Sequence, residues 1–259
     1  MTLPEVTDTG IRYWLEKPVQ LAQLLTSSRA PAISEPKPLL RREVMDVSEH
    51  RLRAAQLLRQ LGHEFVGRNP SDTQLDELIT RLDQMLALVR GAAPRTREVP
   101  AADFSKFILE VPSRDAPVVH HLFADSIVSG GANPMGLGAQ LWRDGDTAVM
   151  QVTLGDAFEG APGRAHGGIL AALLDETMGL VNAINGILAF TVQLDITYLA
   201  PAPVNVPITA RASMVSRDDR KVRIEGTVSA NGTAIARASS LFITVDPTTF
   251  LDQTVPEEP

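Results

Sequence analysis

The chain has 259 residues, a formal charge of −7 and a 44% apolar composition, enough for one large folded domain with an extension. It has no cysteine, which excludes disulfides, thiolate metal sites and a cysteine nucleophile. The acidic balance argues against general binding to a phosphate backbone, so no nucleic-acid partner is expected.

The first residues, Met1 to Asp8, lack the basic and apolar regions of a signal peptide, and no apolar run is long enough for a membrane span; a cytoplasmic, soluble chain is expected. Residues 1–46 carry scattered prolines without sustained periodicity and read as an irregular lead-in. Residues 47–117 read as a helical hairpin and a linker. Leu52, Ala55, Leu58, Leu61 and Phe65 recur at helical spacing until Asn69-Pro70, and Ser71 with Gln74 forms a capping box for a second helix. Leu75, Leu78, Ile79, Leu82, Met85, Leu86 and Val89 make its apolar stripe, and Gly91 its stop. A Pro-containing linker follows, with an apolar segment from Phe104 to Val111.

Beyond it the apolar period falls to two. Leu137 to Trp142, the turn Arg143-Asp144-Gly145-Asp146 and the alternation of Ala148, Met150, Val152 and Leu154 predict a hairpin. Residues 167–185 interrupt with one apolar helix, closed by Asn185-Gly186. Four strands come next: Phe190 to Tyr198, ended by Pro201-Ala202-Pro203; Ile208 to Met214; Val222 to Val228; and Thr233 to Val245, after the turn signal Asn231-Gly232. The alternation of the last strand slips at Ser239-Ser240, where a bulge is expected. This order, a hairpin, one long helix and four antiparallel strands, predicts an α+β domain over 118–247, its helix packed on a curved sheet, with an acidic tail at 248–259.

On the wheel of the central helix, Ile169, Leu170, Leu173, Leu174, Met178, Leu180, Val181 and Ile184 cover about half the circumference and must be buried. Asp175 lies opposite, beside Ala171, Ala172, Gly179, Asn182 and Ala183, where small neighbours let a backbone or slender ligand approach; Glu176 sits at the edge of the apolar arc. The glycine pair Gly167-Gly168 at the helix start lets a carbonyl approach the helix-terminal N–H groups. An acid on a helix and a glycine pair before it also occur in helices with no catalytic role. His120-His121 is not expected to bind metal, because neighbours on a strand point to opposite sides. There is no Gly-x-Ser-x-Gly elbow and no phosphate-binding loop.

In three stretches the chain resembles the hot-dog thioesterases, particularly the branch related to the phenylacetate-pathway thioesterases and the mammalian thioesterase-superfamily members. They are Glu159-Gly160-Ala161-Pro162-Gly163-Arg164-Ala165 leading into His166-Gly167-Gly168, then Leu174-Asp175-Glu176, then Asp195-Ile196-Thr197-Tyr198-Leu199-Ala200-Pro201. The resemblance implies a hot-dog fold, a homodimer or dimer of dimers with active sites between subunits, and an acyl-CoA substrate without a cofactor. It implies that Asp175 is nucleophile or general base, that the Gly167 amide polarises the thioester carbonyl, and that His166 orients the thioester. Thr191 is implied to help hold the attacking water, reaching in from the neighbouring subunit. Gly168 and Glu176 are implied near the substrate, while Arg217, Arg220 and Lys221, with Arg223, cluster at a turn where they could pair with CoA phosphates. That branch has an asparagine on the loop before the motif, where this chain has Gly160. Three readings stay open: a thioesterase, a non-catalytic acyl-CoA binding or sensing protein, and another hot-dog enzyme such as a hydratase.

Overall fold

A computed structural model describes residues 48–95, 111–114 and 124–245. The expected lead-in, the segment from residue 104 to 110, the His120-His121 pair and the acidic tail lie outside these residues.

Two 19-residue helices come first, α1 (Glu49–Gly67) and α2 (Asp72–Arg90). Ser48 caps α1 by accepting the Arg51 N–H, and Ser71 and Gln74 form the expected capping box on α2. The expected hairpin does not form as a packed pair. α1 docks on the domain through the turn at Asp156–Phe158, whereas α2 has no buried residue. Ile79, Met85 and Val89 remain exposed on its stripe. Periodicity marked an apolar face correctly but carries no information about which surface covers it.

The domain is built from β1 (Gln140–Asp144), β2 (Thr147–Thr153), β3 (Glu159–Ala161), β4 (Arg164–Ala165), α3 (Gly167–Ile184), β5 (Ala189–Tyr198), β6 (Pro207–Asp218), β7 (Lys221–Ala230) and β8 (Thr233–Thr244). Six strands form one antiparallel sheet in the order β1-β2-β6-β7-β8-β5, and β3 and β4 make a small ribbon. The turns use left-handed backbone where the sequence placed turn residues: Gly145, Asp219, and the Asn231-Gly232 pair that closes β7 onto β8. α3 ends at Asn185 with Gly186 at positive φ.

α3 lies across the sheet, against β2, β5, β6, β7 and β8. Leu170, Leu173, Leu174, Met178, Leu180 and Val181 are buried beneath it, facing Met150, Ile208, Ile224, Val228 and Phe242. Gly226 on β7 lets the helix sit close, because a Cβ there would lie 2.9 Å from Met178 Cε and 3.2 Å from Leu174 Cδ2. Asn182, expected on the Asp175 side, is instead buried, and Thr177 is buried with its hydroxyl donating to the Leu173 carbonyl at 2.6 Å.

The bulge in β8 is also displaced from Ser239-Ser240. Val228 pairs with Ala236 and Ser229 with Ala234, so Ile235 is the extra residue. Ser240 stays in register opposite Ile224 on the buried face, its hydroxyl donating to the Ile224 carbonyl at 3.3 Å. A satisfied serine on the core face looks like broken alternation in a sequence.

Because Leu174 is fully buried between α3 and the sheet, Leu174→Ala is expected to lower unfolding free energy by about 2–5 kcal/mol, read from urea denaturation.

Candidate active site

Three backbone bonds fix the start of α3. The Ala165 N–H donates to the Ala202 carbonyl at 2.9 Å, the His166 N–H to Phe158 at 2.8 Å, and the Ile169 N–H to His166 at 3.0 Å. His166 is the N-cap, with extended backbone, and its Nδ1 accepts the Gly168 N–H at 2.9 Å. The Gly168 amide, expected near the substrate, is therefore used by the cap. The Gly167 amide is different: as the first helical residue it has no intrahelical acceptor, and no other partner is found among the described residues. A backbone donor at the positive end of an 18-residue helix suits an oxygen that gains negative charge.

A cavity of about 470 Å³ opens there, lined by Gly160, Ala161, His166, Gly167, Leu170, Tyr198 and residues 199–202. The sequence places Tyr198 at the end of a strand, within one of the three resembling stretches, without giving its side chain a part in the site. Its hydroxyl donates to the Gly167 carbonyl at 2.9 Å, and its ring packs over the glycine, where an added Cβ would lie 3.2 Å from Cζ. Gly160 backs the other side. A Cβ at 160 would lie 2.8 Å from His166 Cα, so the asparagine of the related branch could not be accommodated without moving His166.

Asp175 is half-buried in the body of α3, and the Thr191 hydroxyl donates to its Oδ1 at 2.9 Å within the same chain. The two side chains thus form one unit. Eight residues separate Gly167 from Asp175, which at 1.5 Å per residue is about 12 Å along the axis. One thioester carbon cannot be in contact with both groups of one chain.

The acid next to it, Glu176, is engaged elsewhere. Its carboxylate accepts the Ser126 hydroxyl and the Ser129 N–H, the latter at 3.1 Å, and so holds the 124–139 loop. The basic cluster lies at the far end of the sheet. Ala189 pairs with Thr244 and Tyr198 with Ala236, while Lys221 pairs with Ile243. Eight steps along β8, about 26 Å, therefore separate the turn from the start of α3 in the same chain. Arg220 donates to the Thr244 carbonyl at 3.3 Å, and Arg217, Lys221 and Arg223 are exposed. Among the described residues no group of His, Asp or Glu side chains has the arrangement to hold a metal ion.

Comparison with known proteins adds findings of three kinds. A family model described as "Thioesterase superfamily" matches residues 162–236, which include His166, Gly167, Asp175, Thr191 and the basic turn. Acyl-coenzyme A thioesterase THEM4 of Mus musculus is 32% identical over 92 residues, 35% of this chain and 40% of the mouse protein. Acyl-coenzyme A thioesterase THEM5 of Homo sapiens is 31% identical over 91 residues, 34% of this chain and 37% of the human protein. The chain thus spans about two fifths of the length of the curated relatives it matches. A solved thioesterase superfamily protein superposes with a TM-score of 0.61 at 24% identity, covering 74% of this chain and 94% of its own. That likeness extends well beyond the family-model match. Residues 162–236 are thus similar to the thioesterase superfamily, and the domain that contains them has the hot-dog fold.

Proposed function

We propose that this chain hydrolyses an acyl-CoA thioester to the free acid and CoA, in sites that form between two copies of the chain. The observation that carries the reading is the open Gly167 amide at the mouth of the cavity. Its likeness to the acyl-coenzyme A thioesterases supports the substrate class.

The 12 Å offset supports the two-copy site. The carbonyl oxygen lies on the Gly167 amide of one copy, and Asp175 comes from the other, brought with Thr191 as a bonded unit. The surface for this association is in place. β5 pairs only with β8 and leaves its other edge open among the described residues, with Val192, Tyr198 and Leu199 exposed. The exposed face of α3 around Gly179 has no atom near enough to touch an added Cβ, so another backbone could lie against it.

The Thr191 bond to Oδ1 leaves Oδ2 free for the reaction. As general base, Oδ2 takes a proton from water as the water oxygen attacks the thioester carbon. The negative charge that develops on the carbonyl oxygen is held by the Gly167 amide, the carbon–sulfur bond breaks, and the proton passes to the departing sulfur. As nucleophile, Oδ2 itself bonds to that carbon and expels the thiolate, and water then cleaves the mixed anhydride. Both routes consume one water and release one acid and one thiol. His166 fixes the amide through its cap, and Arg217 and Lys221 of the other copy pair with CoA phosphates.

Two variants probe the two halves of the site. Asp175→Asn is expected to remain folded and lose at least about a hundredfold in thiol release from a panel of short, long and aromatic acyl-CoAs. Near-normal turnover would rule out its role. Gly167→Pro removes the amide hydrogen at a position where helices accept proline, at the cost of a shift of the exposed Tyr198 ring. It is expected to lose about a hundredfold or more in kcat.

Mixing the two inactive variants tests where the site lies. Each mixed dimer would contain one intact Gly167–Asp175 pair, so equal amounts should recover about a quarter of wild-type activity after subunit exchange. No recovery, with mixed dimers shown to form, would place both groups in one chain.

A further inference from the structure

Helix α1 lies outside the segment matched by the family model, and the side it turns inward sets Leu52 and Ala55 beside two polar side chains, Arg59 and His63. Ala55 is its only buried residue; Arg59 and His63, one turn apart, make the contacts. The His63 Nδ1 accepts the Ala157 N–H at 3.2 Å, and the ring stands edge-on to Phe158 with centroids 5.0 Å apart. Gly155 makes room for it, since a Cβ there would lie 2.6 Å from Nδ1.

The same short turn continues into the active site. The Phe158 carbonyl accepts the His166 N–H, Gly160 packs against His166, and the His166 ring caps the Gly168 amide. A continuous set of contacts therefore runs from α1 through residues 155–160 to the start of α3. On the same face of α1, the Arg59 Nη1 donates to the carbonyls of Gly131 and Asn133, within the loop that also holds Glu176 beside Asp175.

We propose that His63 is a positioning residue for thioester hydrolysis: it fixes the 156–158 turn, which in turn sets His166 and the Gly167 amide. The proposal rests on the reading of Gly167 as the carbonyl-polarising group. Burial holds the His63 imidazole below its ordinary value, against the pull of Asp156 and with the help of Arg59, and so favours the neutral ring that accepts at Nδ1.

Three variants of the full chain test it, each followed by acyl-CoA kinetics and by amide exchange at Gly168, whose N–H the His166 cap holds. His63→Leu removes the acceptor. Gly155→Ala displaces the ring from a backbone φ of −87°, which alanine adopts freely, and His63→Asn keeps an acceptor near the Nδ1 position. His63→Leu and Gly155→Ala are expected to lower kcat about tenfold with KM within about twofold, and to speed exchange at the Gly168 amide, which His166 holds, about tenfold. His63→Asn should stay within about twofold of wild type in both.

Folded Leu and Ala variants with unchanged kcat and exchange would overturn the proposal, as would a lowered melting temperature alone. If His63→Leu does not fold, Gly155→Ala against His63→Asn makes the same comparison. If the wild-type chain cleaves no thioester, the function reading fails, and exchange at Gly168 still decides whether His63 sets the His166 cap.

Discussion

The rise of an α-helix, 1.5 Å per residue, is the constraint on which this site depends. On α3 it puts the open amide of Gly167 and the carboxylate of Asp175 about 12 Å apart on one rigid rod. No side-chain rotation closes that gap, because one partner is a backbone N–H. Either the two groups serve different ends, or a second copy brings its own acid. The edge of β5 that no described strand covers and the small-residue face of α3 favour the second, since both are surfaces that another backbone can approach.

The rod must also be held still. Six buried apolar side chains of α3 face the sheet, and Gly226 lets Met178 and Leu174 settle close to β7. Above this apolar base the polar contacts are few and specific. Tyr198 holds the Gly167 carbonyl, His166 the Gly168 amide, Thr191 the Asp175 carboxylate, and the 126–129 loop holds Glu176. Adjacent acids thus take opposite parts. Glu176 is bound by its own loop, whereas Asp175 accepts one hydroxyl and keeps an oxygen open.

Much of this is legible in the sequence, for a physical reason. Side-chain period separates helix from strand, and glycine or asparagine marks the left-handed turns, so the central helix and the four strands after it can be read directly from the residues. The Gly167-Gly168 pair and the small neighbours of Asp175 mark, in the same way, the two places on the helix on which the proposed function rests. What periodicity cannot give is the partner of a face. The stripe on α2 reads as one side of a packed hairpin, yet none of its residues is buried. Nor do local patterns reveal bonds between distant residues: Tyr198 meets Gly167 across 31 positions and His63 meets Ala157 across 94. The bulge at Ile235 was hidden because Ser240, the more conspicuous break in pattern, is satisfied in register.

α1 shows why the extension should not be regarded as simple packing. A helix added only for stability would turn its whole apolar stripe inward, yet Leu58, Leu61 and Phe65 are exposed, Leu52 and Ala55 alone of the stripe turn inward, and Arg59 and His63 make hydrogen bonds to the domain. Half-buried polar contacts contribute little net stability, because each replaces a bond to water. They fix geometry well, because each has a preferred direction and leaves a buried group unsatisfied if it slips. The two loops they fix are those that reach His166 and Glu176, one at the start of α3 and the other beside its acid. The polar contacts of α1 therefore bear on the loops at the start and middle of α3 more than on the burial of its core.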